Sequence, residues 1–232
     1  MSGDRWSQTV VDRAVAALAG GADPSRAEPM AAYMKHVAPF LGIQAGPRRH
    51  LLRRAWKGLP APASDELGTA ALRLMHLDER EFHYAAYDLI GRYLDAADDR
   101  FLTDHIEVLL TTKPWWDTVD GFGSAAVSPL CRRPGAAAVV DRWSASEDIW
   151  LIRAAIQHQR GWKDDTDIPR VLDLCDRHWS NQGFFVAKAV GWALRDIARL
   201  DPAAVEAFLD RHPDHNTVAV REARRGLAST SR

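Results

Sequence analysis

The sequence predicts an all-α fold, an α-solenoid of stacked helical pairs. Three observations predict it. Nearly every segment of the 232 residues carries apolar positions at helical spacing. Alternating Val/Ile/Thr runs joined by Asn-Gly turns, the signature of hairpins, are missing. The chain also repeats itself: a slide of 35 residues superposes Trp115, Trp150 and Phe185, and likewise Val119, Ala154 and Ala189. A unit of that length holds two helices, cannot bury its apolar face alone and stacks on its neighbours. Such stacks curve, and the concave side is a cradle for an extended partner.

The elements follow in order. Residues 4–19 have valines and alanines at helical spacing and stop at Gly20-Gly21. Pro47 suits a first helical position, and Gly58 ends that segment. Phe82 to Ala86, Leu151 to Ala155 and Val186 to Val190 each read as one helix of a pair. Ser146 is placed to cap a helix running to Gly161, and Asp201-Pro202 is a cap followed by a first-turn proline. No low-complexity linker interrupts the interior, so residues 1–232 read as a single domain, frayed from Ala228 onward.

Composition excludes several function classes. A hydrophobic fraction of 47% and a charged fraction of 26% are those of a soluble globular chain. No apolar run could span a membrane, and the first ten residues contain no signal core, so a cytoplasmic location is expected. Cys131 and Cys175, without CxxC spacing, read as buried thiols in a reducing compartment. The nine histidines form no HExxH, and neither a Gly-rich phosphate loop nor GxSxG is present, so neither metal nor cofactor is expected. The net charge is −1, yet Arg48, Arg49, Arg53, Arg54 and Lys57 fall in one segment, and Arg221, Arg224 and Arg225 in another. Either cluster is a local phosphate-contact surface or an ordinary solvated face.

The chemistry concentrates in Lys113-Pro114-Trp115-Trp116-Asp117-Thr118-Val119-Asp120. On a helix, Trp116 and Asp120 share one face. An indole face beside a carboxylate suits a cationic or electron-poor ligand, or a cation formed only in a transition state. By spacing alone the pair also reads as packing with a solvated carboxylate. Asp120, however, is the odd member of its repeat column, where Ala155 and Val190 stand in the other repeats. Taken singly, Arg153 reads as solvated or salt-bridged and Trp192 as core. Trp150, Phe184 and Phe185 read as core from their column, and Trp56, Trp143, Trp162 and Trp179 as packing.

Four segments then carry a resemblance. They are Ala32-Tyr33-Met34-Lys35 leading to Phe40-Leu41-Gly42-Ile43-Gln44 and Arg48-Arg49; Lys113 to Asp120; Ile149 to Ala155; and Phe184 to Arg195. In these the chain resembles the AlkD-type DNA glycosylases, HEAT-like helical-repeat enzymes that excise N3- and N7-alkylated purines. The resemblance runs from about Pro29 to Ala198. It implies Asp120 as the catalytic carboxylate, Trp116 and Trp192 as lesion-facing indoles, Arg153 on a DNA phosphate and Tyr33 shaping the cleft. Gln44, Arg48 and Arg49 are implied DNA contacts, and Lys188, on the helix of Trp192, joins the DNA- or lesion-binding candidates. The chain departs from the family at Ala45-Gly46-Pro47, where proline comes one place late.

What the resemblance implies is a HEAT-like solenoid with a concave DNA-binding face, acting as a monomer on double-stranded DNA that contains alkylated purines. The implied reaction is hydrolysis to an abasic site in base excision repair, without strand cleavage and without the base flipping most glycosylases use. Two other readings stay open: a nucleic-acid-binding solenoid without catalysis, and a protein-binding scaffold.

Overall fold

The computed structural model describes residues 3–212 and 217–230. Among these residues the secondary structure is helical and no strand occurs, as the sequence predicts. The chain divides into two compact units, Met1–Ala126 and Val127–Arg232.

The first unit holds α1 (Gly3–Ala19), α2 (Pro24–Tyr33), α3 (Ala45–Ala55), α4 (Ser64–His76), α5 (Arg80–Arg92), α6 (Glu107–Thr111) and α7 (Trp116–Phe122). Helix α1 ends where Gly20-Gly21 predicts. Asp23 caps α2 by accepting from the Ser25 amide at 3.1 Å. Helix α3 begins at Ala45, two residues before Pro47, so the late proline sits inside the first turn, where a missing N–H costs nothing. Helix α4 packs on α1 and α5, and α7 packs on α5. Leu67, Ala70, Ala71, Leu74, Leu89 and Ile90 are fully buried in this core. The α5–α7 contact needs Gly121: a Cβ there would lie 2.4 Å from the Tyr87 ring.

The second unit holds α8 (Ser128–Leu130), α9 (Ala136–Ser144), α10 (Ile149–Ile156), α11 (Ile168–Arg177), α12 (Phe184–Ile197), α13 (Pro202–Arg211) and α14 (Thr217–Thr230). Its core joins Ile152, Ile156, Val186, Val190, Leu194 and Phe208. Asp201 caps α13 as predicted, accepting from the Ala204 amide at 2.9 Å. Ser146 does not cap α10. Its hydroxyl accepts from the Asp148 amide, and the Asp148 carboxylate takes the Trp150 and Leu151 amides instead. Helix α10 stops at Ile156, five residues before Gly161. Helix α14 runs through Thr230, past the start of the predicted fraying, and residues 231 and 232 lie outside the described ones.

The repeat is visible in the contacts. Trp150 and Phe185, members of one column, stack with ring centroids 4.8 Å apart. Many long-range polar contacts join residues about one repeat apart: Arg80 to Asp117 (37 residues), Ser144 to His178 (34), Arg153 to Phe185 (32) and Lys188 to Glu222 (34). Within each unit these contacts stitch helices about one repeat apart, as stacked repeats require. Phe184 corrects its expected core position: it is 56% exposed, while Trp150 is 8% exposed. Trp56, Trp143 and Trp179 are buried as predicted, and Trp162 is half-buried.

One loop of the first unit is fixed with unusual care. Glu81, fully buried on α5, accepts from the amides of Leu41, Gly42 and Ile43 at 2.8–2.9 Å. A carboxylate holding three backbone N–H groups uses the strong, charge-assisted class of hydrogen bond. The turn that presents those amides depends on Gly42, at φ 86°, where a Cβ would lie 2.0 Å from the Asp23 carbonyl oxygen. Gly42→Ala is therefore expected to destabilise the protein by at least about 2 kcal/mol, read as a lowered denaturant midpoint. An unchanged midpoint would show that the loop relaxes freely.

Candidate functional site

Helix α7 carries the predicted pair. Trp116 is its first residue and Asp120 lies one turn later on the same face, both half-buried. The helix start is built from Thr118. Its hydroxyl donates to the Trp115 carbonyl at 3.0 Å and accepts from the Trp115 amide at 3.3 Å, closing the turn that delivers Trp116.

Beneath that turn lies a buried polar network that sequence reasoning missed. Arg80, 1% exposed, donates through Nε to Asp117 at 3.1 Å and through Nη2 to the other Asp117 oxygen. The same guanidinium reaches the Thr118 hydroxyl at 3.2 Å and the Lys113 carbonyl at 3.0 Å. Tyr84 donates its hydroxyl to Asp117. Both carboxylate oxygens of Asp117 are thus committed to neighbours, which suits an anchor and not a reacting group. Lys113, in the left-handed region at φ 43°, donates its ammonium to the carbonyls of His76 and Leu77 and so caps α4. The Lys113–Trp116 approach to α7 is pinned at both ends.

Burial sets two side chains here away from their usual titration. His83 is pushed down to about 4 by burial, with the Arg80 charge adding to the effect. As a neutral ring it accepts from Arg80 at Nδ1 and donates through Nε2 to the Leu77 carbonyl at 2.8 Å. Tyr84 is pushed up by burial and by the Asp117 charge.

A pocket of about 500 Å³ opens beside Trp116 within the first unit. Tyr33, Met30, Phe40, Gln44 and Tyr84 line it, with Asp117 at its edge. Tyr33 is 74% exposed at the end of α2. The next turn places two residues with side chains, Lys35 (φ 60°) and His36 (φ 54°), in left-handed backbone. Gln44 is exposed and makes no capping bond at the start of α3, so its amide faces outward.

The arginines of α3 divide. Arg49 is exposed, with one contact to Asp88 at 3.3 Å, and stays available to a phosphate. Arg48 is not: it is 2% exposed, ion-paired with Asp88 at 3.0 Å, and its guanidinium lies 4.8 Å from the Tyr84 ring centre. The expected DNA contact by Arg48 is corrected to a packing role, since a guanidinium already paired and desolvated has no face to offer.

In the second unit, Trp192 lies half-buried on α12. Arg153 and Arg160 place their guanidinium carbons 5.0 and 5.4 Å from its ring centre. Arg153 is 1% exposed and donates to the Phe185 carbonyl at 2.8 Å. It ties α10 to α12 and backs the indole. Lys188 is paired with the buried carboxylate of Glu222 at 2.8 Å, a carboxylate it shares with Arg195 and Arg225. It holds α12 to α14.

His158 in this unit is also pushed down to about 4 by burial, and it donates to the Ala155 carbonyl. For both His83 and His158 the folded value lies below the ordinary 6.5. Between about pH 6.5 and 4 the unfolded chain therefore binds more protons, and stability rises with pH. Stability is fully present above pH 6.5 and falls as the pH drops to 4, by up to about 3 kcal/mol per histidine. Chemical denaturation at pH 7 and pH 4.5 checks this. His83→Asn and His158→Asn should flatten the slope, and a flat wild-type profile would contradict it.

Among the described residues, no group of three His, Cys, Asp or Glu side chains could hold a metal ion, and no helix is long and apolar enough to cross a membrane.

The described residues form stacked helices, with an indole and a carboxylate on one anchored helix. Residues 14–227 match the family model for DNA alkylation repair enzymes, and the chain belongs to that family. No curated protein matches it in sequence. It is similar to the solved structure of a predicted DNA alkylation repair enzyme from Enterococcus faecalis. The TM-score is 0.77 at 27% identity, over 87% of this chain and 94% of the other.

Proposed function

We propose that this protein is a monofunctional DNA glycosylase. It hydrolyses the N-glycosidic bond of N3- and N7-alkylated purines, such as 3-methyladenine and 7-methylguanine, in duplex DNA, opening base excision repair. The observation that carries this reading is the Trp116–Asp120 pair, one turn apart on α7 above the Arg80–Asp117 anchor.

The chemistry follows from the substrate's charge. Alkylation at N7 or N3 makes the purine a cation, so the bond to C1′ breaks with its electrons returning to the ring. The base leaves neutral and needs no acid. Positive charge builds on the sugar, as in glycoside hydrolysis generally. Asp120 stabilises that charge, positions the attacking water and takes its proton. Trp116 and Trp192 each offer an indole face, with cation–π attraction of about 0.5–2 kcal/mol. These groups engage the sugar, and the resemblance to the AlkD-type enzymes implies that the base stays stacked. Tyr33, Gln44 and Arg49, all exposed, contact the backbone of the duplex. Lys188, committed to Glu222, offers no amine for a lyase step. The protein works as a monomer on DNA in the cytoplasm, at the nucleoid.

The test is incubation of the purified protein with methylated duplex DNA. Release of 7-methylguanine, leaving an uncut abasic site, is expected. Absence of release, with DNA affinity that still falls with salt, would make the protein a binding-only solenoid. Accumulating strand breaks would overturn the monofunctional assignment.

A further inference from the structure

The second unit carries a basic surface that none of the roles above uses. Helices α12 and α14 pack on each other. Together they hold five cations, Lys188, Arg195, Arg221, Arg224 and Arg225, against two carboxylates, Asp196 and Glu222. The chain as a whole has a net charge of −1. Positive charge is therefore concentrated on this pair of helices and offset elsewhere.

Packing does not neutralise it. Glu222, 1% exposed, accepts from Lys188 at 2.8 Å, Arg225 at 2.9 Å and Arg195 at 3.3 Å, so one carboxylate serves three cations. Asp196 turns instead to Arg199, at 3.4 Å. Arg221 and Arg224 are exposed and, among the described residues, form no ion pair. Arg221, Arg224 and Arg225 stand at i, i+3 and i+4, on one face of α14. Like charges at that spacing destabilise a helix. A polyanion lying across them would remove the repulsion.

The surface fits a phosphate backbone. Ala219 and Ala223 of α14 are fully buried, and among the described residues no large apolar side chain of this helix is exposed. It has nothing to insert into a lipid surface. From Arg221 to Arg225 the helix rises about 6 Å, which matches about two phosphates of one strand at about 3.4 Å each along the duplex. The surface also borders the site. Lys188, Trp192 and Arg195 follow at i, i+4 and i+7 on α12, so the indole stands between two of the cations. We propose that α14 is a phosphate-binding surface, with Arg221 and Arg224 each holding a phosphate of duplex DNA. It seats the duplex beside Trp192, and so rests on DNA being the partner in the reading above.

Fluorescence anisotropy of a labelled, undamaged duplex, titrated with the full chain over a salt series, tests this. For the wild type, log K should fall linearly with log salt. Arg221→Gln with Arg224→Gln should make that slope shallower by about 1.8, the loss of two phosphate contacts at about 0.9 each. Arg221→Lys with Arg224→Lys keeps both charges and should restore the slope. Arg100→Gln with Arg132→Gln is the control. It removes two cations already paired with Asp104 and Asp165, and should leave the slope as in the wild type. A wild-type slope in the Arg221, Arg224 glutamine variant, or an equal change in the control, would overturn the proposal. So would a variant that loses affinity for anionic vesicles but not for DNA. Should the double variant fold poorly, each single glutamine variant decides, with a change of about 0.9 expected. The measurement needs no lesion and no turnover. An unchanged slope beside release of 7-methylguanine therefore removes this surface alone. A shallower slope in a protein that releases nothing removes the glycosylase reading alone.

Discussion

Asp120→Asn should lower single-turnover release of 7-methylguanine by about 10²–10³, the usual effect of removing one preorganised electrostatic partner of a developing charge. The substitution keeps the shape of the side chain and its place one turn after Trp116, so α7 should be unchanged. On the proposed mechanism, what is lost is the negative charge facing C1′ and the oxygen that takes the water's proton. Trp116→Ala and Trp192→Ala should cost less, about 3- to 30-fold each, because each removes a single cation–π face. The ranking is the informative part. A loss at Asp120 smaller than at Trp116 would move the main stabilisation from the carboxylate to the indole. Asp117→Asn serves as the contrast: its damage should appear first as lost stability, since both Asp117 oxygens are occupied by Arg80 and Tyr84.

That contrast marks how far the sequence could be read. Trp116 and Asp120 were legible because helical spacing alone puts them on one face. The repeat was legible because Trp150 and Phe185 are large and recur in register, and their rings stack. The pairing of Arg48, Arg153 and Lys188 was not legible. Their partners Asp88, Phe185 and Glu222 lie 32 to 40 residues away, and a cation in a helical pattern reads as solvated until its partner is placed. Phe184 and Phe185 are neighbours in sequence, yet one is exposed and the other stacks on Trp150, because a helix turns about 100° per residue. Arg80 and Asp117 left a trace that could have been followed: they stand 37 residues apart, near the repeat period, with opposite charges. A scan for complementary charges one period apart would have found this pair and Lys188–Glu222 together.

Arg80→Met is expected to cost about 3–5 kcal/mol of stability, the usual penalty for stranding a buried charge by removing its partner. Several losses coincide at this site. Asp117 would keep its charge while 9% exposed, with only the Tyr84 hydroxyl left to it. His83 would lose its donor at Nδ1, and the Lys113 carbonyl would lose the bond that pins the approach to Trp116. The double variant Arg80→Met, Asp117→Leu removes both charges and should recover much of that stability, since well-packed apolar replacements of buried ion pairs are often neutral. It should not recover activity. The Thr118 hydroxyl and the Lys113 carbonyl would still lack the guanidinium that orders them, and Trp116 would start α7 from a looser turn. Urea denaturation of the three proteins beside their single-turnover rates separates the two effects. A double variant as stable and as active as wild type would reduce the network to packing. A stable but slow one would establish Arg80 as the residue that positions the reacting helix.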